Sequence, residues 1–169
     1  MEKPVLNGVA RIRPATTEDV PVLLRLIREL AEFEHLAHLV TATEEGLRQE
    51  LFGKQRAEAV LALLADEPVG FALYFHNFST FLGRSGIWLE DLYVCPEARG
   101  RGIGKALLLH VADIARTRRC GRFEWAVLDW NEHAIRVYRR LGAEPLDDWT
   151  IMRVTGAALE RVPDDKKPA

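Results

Sequence analysis

Apolar residues recur along this chain in two rhythms, one typical of helices and one of strands. After an apolar run that Pro14 ends, Thr16 and Asp19 have the spacing of a helix capping box. The apolar positions that follow repeat every three or four residues, as on the buried face of a helix. The pattern predicts a first strand over residues 9–13 and then a long helix whose apolar face is Val20, Leu23, Leu24, Ile27, Leu30 and Ala31.

The middle of the chain carries mainly strand signals. Thr41 and Glu44 have the spacing of a second capping box, which predicts a short helix that ends by Phe52. Two apolar runs then flank a polar turn at residues 66–69, which predicts a β-hairpin, and a third run predicts a strand beside it. The three predicted strands span residues 57–64, 69–76 and 86–94.

Helix and strand patterns alternate in the C-terminal half. They predict a helix over residues 103–118 that Gly121 closes, a strand over 123–128, a helix over 132–141 and a last strand over 149–154. The whole pattern predicts an α/β fold with helices on both faces of a mixed sheet. We expect the polar tail, residues 161–169, to be disordered.

Length and composition fit one domain over residues 1–169. With 169 residues, 48% of them hydrophobic, the chain can bury a core without disulfides or metal. A net charge of −2 gives no general basic field for nucleic acid. The longest apolar run, residues 59–65, is too short to span a membrane, and the first eight residues lack a signal-peptide core. The two cysteines suit a reducing compartment, and their spacing from the histidines predicts no metal site, so we expect a cytoplasmic protein.

The segment after the 86–94 strand carries the clearest chemical signal. A short loop rich in Arg and Gly follows Pro96 and opens an apolar-periodic helix. Gly100, Gly102 and Gly104 let a ligand approach the backbone, and the free N–H groups at a helix start attract anions. The segment therefore predicts an anion-binding turn that suits a pyrophosphate.

The spacing of this loop decides among the known phosphate-binding motifs. A Walker loop would need Gly where Arg99 stands and a hydroxyl where Ala106 stands. A dinucleotide fingerprint would need Gly at Lys105. The spacing that fits is Arg-x-x-Gly-x-Gly at Arg99, Gly102 and Gly104, which resembles the coenzyme A pyrophosphate loop of the GNAT superfamily of N-acetyltransferases.

A second motif of the same superfamily follows downstream. Its pattern, Asn-x-x-Ala-x-x-x-Tyr-x-x-x-Gly, matches Asn131, Ala134, Tyr138 and Gly142. Further segments are similar to the spermidine/spermine N1-acetyltransferase (diamine acetyltransferase) group, and most of all to its thialysine N-epsilon-acetyltransferase branch; they are residues 25–34, 88–94 and 126–131.

The resemblance covers about residues 10–155. It implies the GNAT fold, with a mixed, mostly antiparallel central sheet, an acetyl-CoA-dependent N-acetyltransferase activity and a homodimer. The chain is shorter than the group near residues 145–149, where the resemblance says least about the acceptor.

The resemblance also implies which residues contact acetyl-CoA. The backbone at the end of the 86–94 strand would bind the pantetheine arm like an added strand, and one N–H there would stabilise the developing oxyanion. The loop would bind the pyrophosphate. The implied contacts are Leu92, Tyr93, Val94, Arg99, Gly100, Arg101, Gly102, Ile103, Gly104, Lys105, Asn131 and Tyr138. The strand side chains are equally well explained as core, and Asn131 as a helix N-cap.

Acetyl transfer to an amine needs two proton-transfer steps. A lysine-like ammonium, with a pKa of about 10.4, must lose its proton before it can attack. Glu90 lies in an otherwise apolar strand and matches the group's base, which acts directly or through water. Strand alternation puts Glu90 and Asp91 on opposite faces, so only one of them would serve. Tyr138 matches the general acid that protonates the leaving thiolate. An exposed edge-strand acid and a core tyrosine are the alternative interpretations.

The acceptor contacts implied by the resemblance are Phe33, Glu34, Ser79, Thr80, Glu90, Glu124, Trp125 and Ala126. The polyamine branch has Asp and Trp after the second hairpin strand, whereas Ser79 and Thr80 resemble the thialysine branch, and hydroxyls suit an amino acid carboxylate. We therefore expect attack by the primary amine of a small molecule, thialysine-like, lysine-like or a diamine. The alternatives are a polyamine, a protein or peptide amine, and a non-catalytic acyl-CoA sensor.

Overall fold

The computed structural model of this chain describes residues 10–161. They fall into two compact units, one that ends at Leu128 and one that begins at Asp129. The first unit holds the whole sheet and three helices, and the second holds two helices. The single domain over residues 1–169 stays a prediction.

One five-stranded sheet organises the first unit. Its strands lie side by side in chain order: β1 (Arg11–Pro14), β2 (Glu58–Leu64), β3 (Glu67–Ser79), β4 (Arg84–Val94) and β5 (Phe123–Trp125). The strands β1 to β4 pair antiparallel, and β5 pairs parallel with β4. The predicted mixed, mostly antiparallel sheet is confirmed.

The helices follow the predicted order. The first unit contains α1 (Val20–Phe33), α2 (Glu44–Leu47), which continues as a π-helical turn over Arg48–Gly53, and α3 (Ile103–Thr117). The second contains α4 (Glu132–Arg140) and α5 (Gly156–Glu160). No helix in the described part of the chain has the length and apolar character that crossing a membrane requires.

The sheet buries apolar side chains on both faces. On one face, Leu23, Leu26 and Leu30 of α1 pack with Phe71 and Tyr93. On the other, α3 buries Ile103, Leu107 and Val111 completely or nearly so and contacts β2, β3 and β4. The sheet is therefore sandwiched between helices, as the pattern predicts, and α1 and α3 flank the C-terminal end of β4 from opposite sides.

The start of α1 is tied to β1 by a carboxylate. Asp19 accepts the Thr16 N–H at 2.7 Å, as expected of a capping box. The same carboxylate forms a two-bond ion pair with Arg13 of β1, at 2.6 and 2.8 Å. These bonds lower the pKa of Asp19 to about 2, with the Arg13 guanidinium as the largest cause.

The β2–β3 hairpin is tighter than the sequence pattern suggests. Ala65 and Asp66 form a two-residue turn with φ of 48° and 67°, and β3 already begins at Glu67. The predicted polar turn over residues 66–69 is thus wrong in position, because Glu67 and Pro68 belong to the strand. The N-cap of α2 also lies two residues after the predicted one: Thr43, not Thr41, accepts the Gly46 N–H.

Three further predictions fail near element ends. The helix α3 ends at Thr117, and the φ of 57° at Arg119 lets the Cys120 N–H reach the Ala115 carbonyl, while the Gly121 N–H instead bonds the Ser85 carbonyl. β5 stops at Trp125 rather than 128. Residues 149–154 form no strand, because no other strand of the described residues pairs with them. The short helix α5 was not predicted. Val9 and, apart from Arg161, the tail 161–169 lie outside the described residues.

The Asp19 ion pair yields a stability prediction. Asp19→Asn should lower the free energy of unfolding at pH 7 by about 1–2 kcal/mol, since a buried, charge-assisted pair is broken. A carboxyl with a depressed folded pKa stabilises the fold above its unfolded pKa, and that contribution is lost as pH falls from about 4 to 2. Urea unfolding at pH 7, 4 and 2.5 should therefore show the difference shrinking with pH.

Asp66→Asn is the matched control. Asp66 also pairs with an arginine of β1, Arg11, but its side chain is 85% exposed. Its removal should change stability little at any pH. Equal losses in the two variants would show that the Asp19 pair has no special role.

Candidate active site

The loop between β4 and α3 has the backbone of an anion site. Gly100 and Gly102 hold φ of 77° and 78°, a region that favours glycine, and Gly102 is the N-cap of α3. Among residues 10–161, no acceptor binds the backbone N–H groups from Gly100 to Lys105. These groups stand at the positive end of a 15-residue helix. The loop can thus bind an anion through its backbone.

The side chains of this loop have different surroundings. Ile103 is 1% exposed and belongs to the core, so a ligand could reach only its backbone. Arg101 and Lys105 are exposed. Gly104 lies in the first turn of α3, and a Cβ there would lie 3.7 Å from Leu92 and Val94. The start of α3 therefore sits directly against the end of β4.

Arg99 fastens the loop to the opposite helix. Its Nε donates to the Val94 carbonyl at 2.9 Å. Its guanidinium lies 4.5 Å from the Phe33 ring centroid and 5.6 Å from that of Tyr93. The side chain of Arg99 thus links β4 to the end of α1. Any contact of Arg99 with a ligand would be additional to this structural role.

One edge of β4 is paired over only three residues. β5 pairs with Ile87, Trp88 and Leu89, whereas β3 pairs with β4 all the way to Val94. β5 therefore covers this edge of β4 only as far as Leu89. From Glu90 onward, no strand of the described residues pairs with it. The backbone of residues 90–94 can therefore bind an extended ligand there, while the Tyr93 and Val94 side chains are buried, as the core interpretation expects.

A β-bulge interrupts β4 where this open edge begins. Leu89 lies opposite Tyr74 and Asp91 opposite Leu73, so Glu90 is the extra residue. Alternation breaks at that point, and the argument that puts Glu90 and Asp91 on opposite faces does not hold. Both carboxylates lie close enough to interact, because the Glu90 charge raises the pKa of Asp91.

The two carboxylates have different environments. Glu90 is exposed and accepts the Trp88 indole N–H at 2.8 Å. Asp91 is half-buried, and burial, then the charges of Glu90 and Glu34, raise its pKa to about 7. Glu34 caps the end of α1, and burial raises its pKa as well. Phe33 and Glu34 therefore come to the same part of the site as β4.

The remaining predicted acceptor residues divide into two groups. Trp125 lies beside Leu89 in the ladder, next to the open edge, and Ala126 follows it in an exposed position. Glu124 accepts a hydrogen bond from Asn77 at 2.8 Å and lies 2.8 Å from the Arg122 Nε, so its carboxylate already has partners.

Ser79 and Thr80 lie at the other end of β4. Ser79 pairs with Arg84, six residues before Glu90, which is about 20 Å along the strand. Ser79 is buried, and its hydroxyl accepts the Leu82 N–H at 3.3 Å, while Thr80 is exposed in the turn. Within one chain, the structure does not bring these hydroxyls to Glu90.

The second unit carries the other predicted motif. Asn131 is the N-cap of α4, and its side chain accepts the Ala134 N–H at 3.2 Å, so the capping interpretation is confirmed. Tyr138 is half-buried two turns later on the same face of α4. Gly142, with φ of 89°, closes the helix as predicted.

Comparison with known proteins identifies this arrangement. The model of the acetyltransferase (GNAT) family matches residues 23–143. This chain belongs to the GNAT family. It is 40% identical to a mouse thialysine N-epsilon-acetyltransferase over 164 residues, which cover 90% of this chain and 96% of that protein. It is 33% identical to an L-ornithine N5-acetyltransferase of Arabidopsis thaliana, over 90% of this chain and 87% of that one.

Solved structures agree with the family. An integron cassette protein of V. cholerae superposes with a TM-score of 0.76 and 26% identity, over 90% of this chain and 96% of that one. The GNAT fold predicted from the motifs is confirmed. The chain is an N-acetyltransferase that transfers an acetyl group to the amine of a small molecule, which sets aside the non-catalytic sensor.

The sequence motifs of this GNAT enzyme do not reveal Asp91 as a site residue. It adjoins Glu90, and strand alternation predicts that only one of these two acids faces the site. A signal was present, since Asp91 is a carboxylate with apolar residues after it in a strand, but the bulge that exposes Glu90 is not visible in the pattern. Residues 10–161 bring together no three His, Cys, Asp or Glu side chains that could hold a metal ion.

Proposed function

We propose that this enzyme acetylates the side-chain amine of an amino acid such as thialysine, with acetyl-CoA as donor. The observation that carries the proposal is the open edge of β4, which leads directly into the loop whose N–H groups have no acceptor within the described part of the chain. The names of two relatives, a thialysine and an ornithine acetyltransferase, support an amino acid as acceptor.

The donor would bind along β4 and the loop. The backbone N–H groups from Gly100 to Lys105 would bind the pyrophosphate, and the free edge at Leu92, Tyr93 and Val94 would pair with the amide groups of the pantetheine arm. A β4 N–H at this edge would stabilise the oxyanion of the thioester carbonyl. The exposed Arg101 and Lys105 would add positive charge near the phosphates.

The chemistry requires a base for the ammonium and an acid for the thiolate. The amine would attack the thioester directly, without an acyl-enzyme. Glu90 is the base that the motif predicts, and Tyr138 the acid, with Asn131 as a further coenzyme contact. A phenol is neutral at pH 7 and can donate its proton to the leaving sulfur.

We also propose a homodimer in the cytoplasm. The tip of the β3–β4 hairpin exposes large apolar side chains, with Phe78 62%, Phe81 96% and Leu82 53% exposed, which suits a surface that a second copy covers. Ser79 and Thr80 lie at the hairpin tip, about 20 Å from Glu90 measured along β4. They would therefore contact a short acceptor bound at Glu90 only if that acceptor belonged to the partner's site across such an interface. Both cysteines are free thiols, as suits a reducing compartment.

The first test concerns the loop. Lys105→Pro removes one N–H that has no protein acceptor, and the first helical turn tolerates proline, particularly after glycine. Lys105→Ala removes the same charge and keeps the N–H. Calorimetry should show coenzyme A binding about tenfold weaker for Lys105→Pro than for Lys105→Ala, the worth of one charge-assisted hydrogen bond. Equal affinities in two folded variants would refute the assignment of the loop.

The second test concerns the acceptor. In direct competition between thialysine and spermidine, with the acetylated products measured by mass, we expect the higher kcat/KM for thialysine. Thr80→Asp should shift the ratio toward spermidine by about tenfold, because an added carboxylate repels the amino acid's carboxylate and attracts a polycation. Thr80→Asn is the control of similar size. Predominant acetylspermidine from the unmodified enzyme would contradict the proposed acceptor.

The third test concerns the dimer. Phe81→Glu places a charge at the exposed hairpin tip and should shift the protein to monomer in analytical ultracentrifugation. Leu109→Glu, which charges an exposed apolar position on α3, should leave the mass unchanged. A monomer in the unmodified protein would show that the exposed tip has another role.

A further inference from the structure

Asp91 is a half-buried carboxylate that has no partner among residues 10–161. In the described residues, neither a hydrogen-bond donor nor a cationic side chain binds it. Carboxylates that are removed from water are normally paired, because an uncompensated charge there is costly. Asp19, which is buried, and Glu124, which is half-buried, do have cationic partners, whereas the half-buried Glu34 beside the site, like Asp91, has none among the described residues. A ligand cation would supply what Asp91 lacks.

The position of Asp91 fits such a ligand. It follows the bulge at Glu90, pairs with Leu73 and stands two residues beyond Leu89, where pairing with β5 ends. The donor's thioester would lie along this same open edge if the arm pairs with residues 92–94. Asp91 would then lie beside the point where the acceptor's nitrogen and the carbonyl carbon meet.

Glu90 is less suited to hold the amine. Its carboxylate is exposed to solvent and accepts the Trp88 indole N–H. Water screens an exposed carboxylate and competes for its lone pairs, so its attraction for an ammonium group is weaker than that of a half-buried one.

We propose that Asp91 binds the acceptor's ammonium group and takes its proton, while Glu34 and Glu90 act as positioning residues. This inference rests on the proposed function and moves the role of the base from Glu90, which the motif predicts, to the neighbouring Asp91. The pKa of about 7 that burial, Glu90 and Glu34 give Asp91 suits a base at neutral pH.

The proposed step balances as follows in protons and bonds. One ammonium N–H bond breaks, and its proton passes to a carboxylate oxygen of Asp91. The nitrogen lone pair then forms the amide C–N bond at the acetyl carbon, and the C–S bond breaks. The nitrogen loses a second proton, the sulfur gains one and leaves as free coenzyme A, and Asp91 returns its proton to water.

The groups that act on Asp91 come from two elements. Glu34 faces it from the end of α1 and Glu90 from its own strand, and both are acids that raise its pKa. From β3 it meets the apolar Leu73. Removing either acid should therefore lower the pKa of Asp91 and extend activity to lower pH, because the unprotonated base persists further into the acid range.

Kinetics over pH test the role of Asp91 as the base. Asp91→Asn should lower kcat/KM by about 10²- to 10⁴-fold and abolish the acid limb of the pH profile. Glu90→Gln and Glu34→Gln should each retain the limb and shift it to lower pH. Glu32→Gln, an exposed acid on the same helix as Glu34, should leave the limb in place. An acid limb that survives in Asp91→Asn and disappears in Glu90→Gln would overturn the proposal in favour of Glu90.

A second measurement does not depend on turnover. Carbon-detected NMR of the carboxyl groups in the full chain should give Asp91 a midpoint near pH 7, lower in Glu34→Gln. Asp91→Asn should also raise the urea midpoint at pH 8, since a raised folded pKa means that the wild type loses stability as pH rises from about 4 to 7. An ordinary midpoint near 4 would refute the proposal about Asp91 even in an active enzyme. If no amine is acetylated while Asp91 titrates near 7, the proposed function fails instead.

Discussion

The backbone ladder between β3 and β4 is the constraint on which the rest of the structure depends. It holds β4 along its full length from Arg84 to Val94, so the other edge of the strand can remain open without loss of the strand itself. The helices α1 and α3 then fix the end of β4 from opposite faces. The strand part of the site is therefore backbone that β3 holds on one side and that stays unpaired on the other, and the loop after it continues the same site.

The parts of this fold that follow from local pattern were predictable. The apolar face of α1, the antiparallel hairpin, the glycine at the end of α4 and the loop at Arg99 to Gly104 all depend on residues close together in the chain, and the two spaced motifs identify the family. The parts that failed depend on pairing at a distance. Nothing near Glu90 signals the bulge, because a bulge is a mismatch of register between two strands. Likewise, the strand-like pattern of residues 149–154 does not reveal whether another strand is available to pair with them.

The bulge also explains why the sequence predicted that only one of the neighbouring acids Glu90 and Asp91 serves, whereas the structure presents both. A regular strand would send Glu90 and Asp91 to opposite faces. With one extra residue in β4, Asp91 takes a place opposite Leu73 on the face that α1 covers, and Glu34 at the end of α1 meets it there. A helix end that is fixed by core leucines thus determines the electrostatics of a strand position some 57 residues away in the sequence. Nothing local to either residue predicts that meeting.

The half-paired edge of β4 also matters when no donor is bound. An uncovered strand edge is a template on which another chain can add a strand, and natural proteins protect such edges with charge, twist or bulges. Here the bulge at Glu90 bends the edge where it begins, and an exposed carboxylate stands at that point. The edge that admits a ligand can therefore also accept a strand of another chain, and bound coenzyme A would cover it.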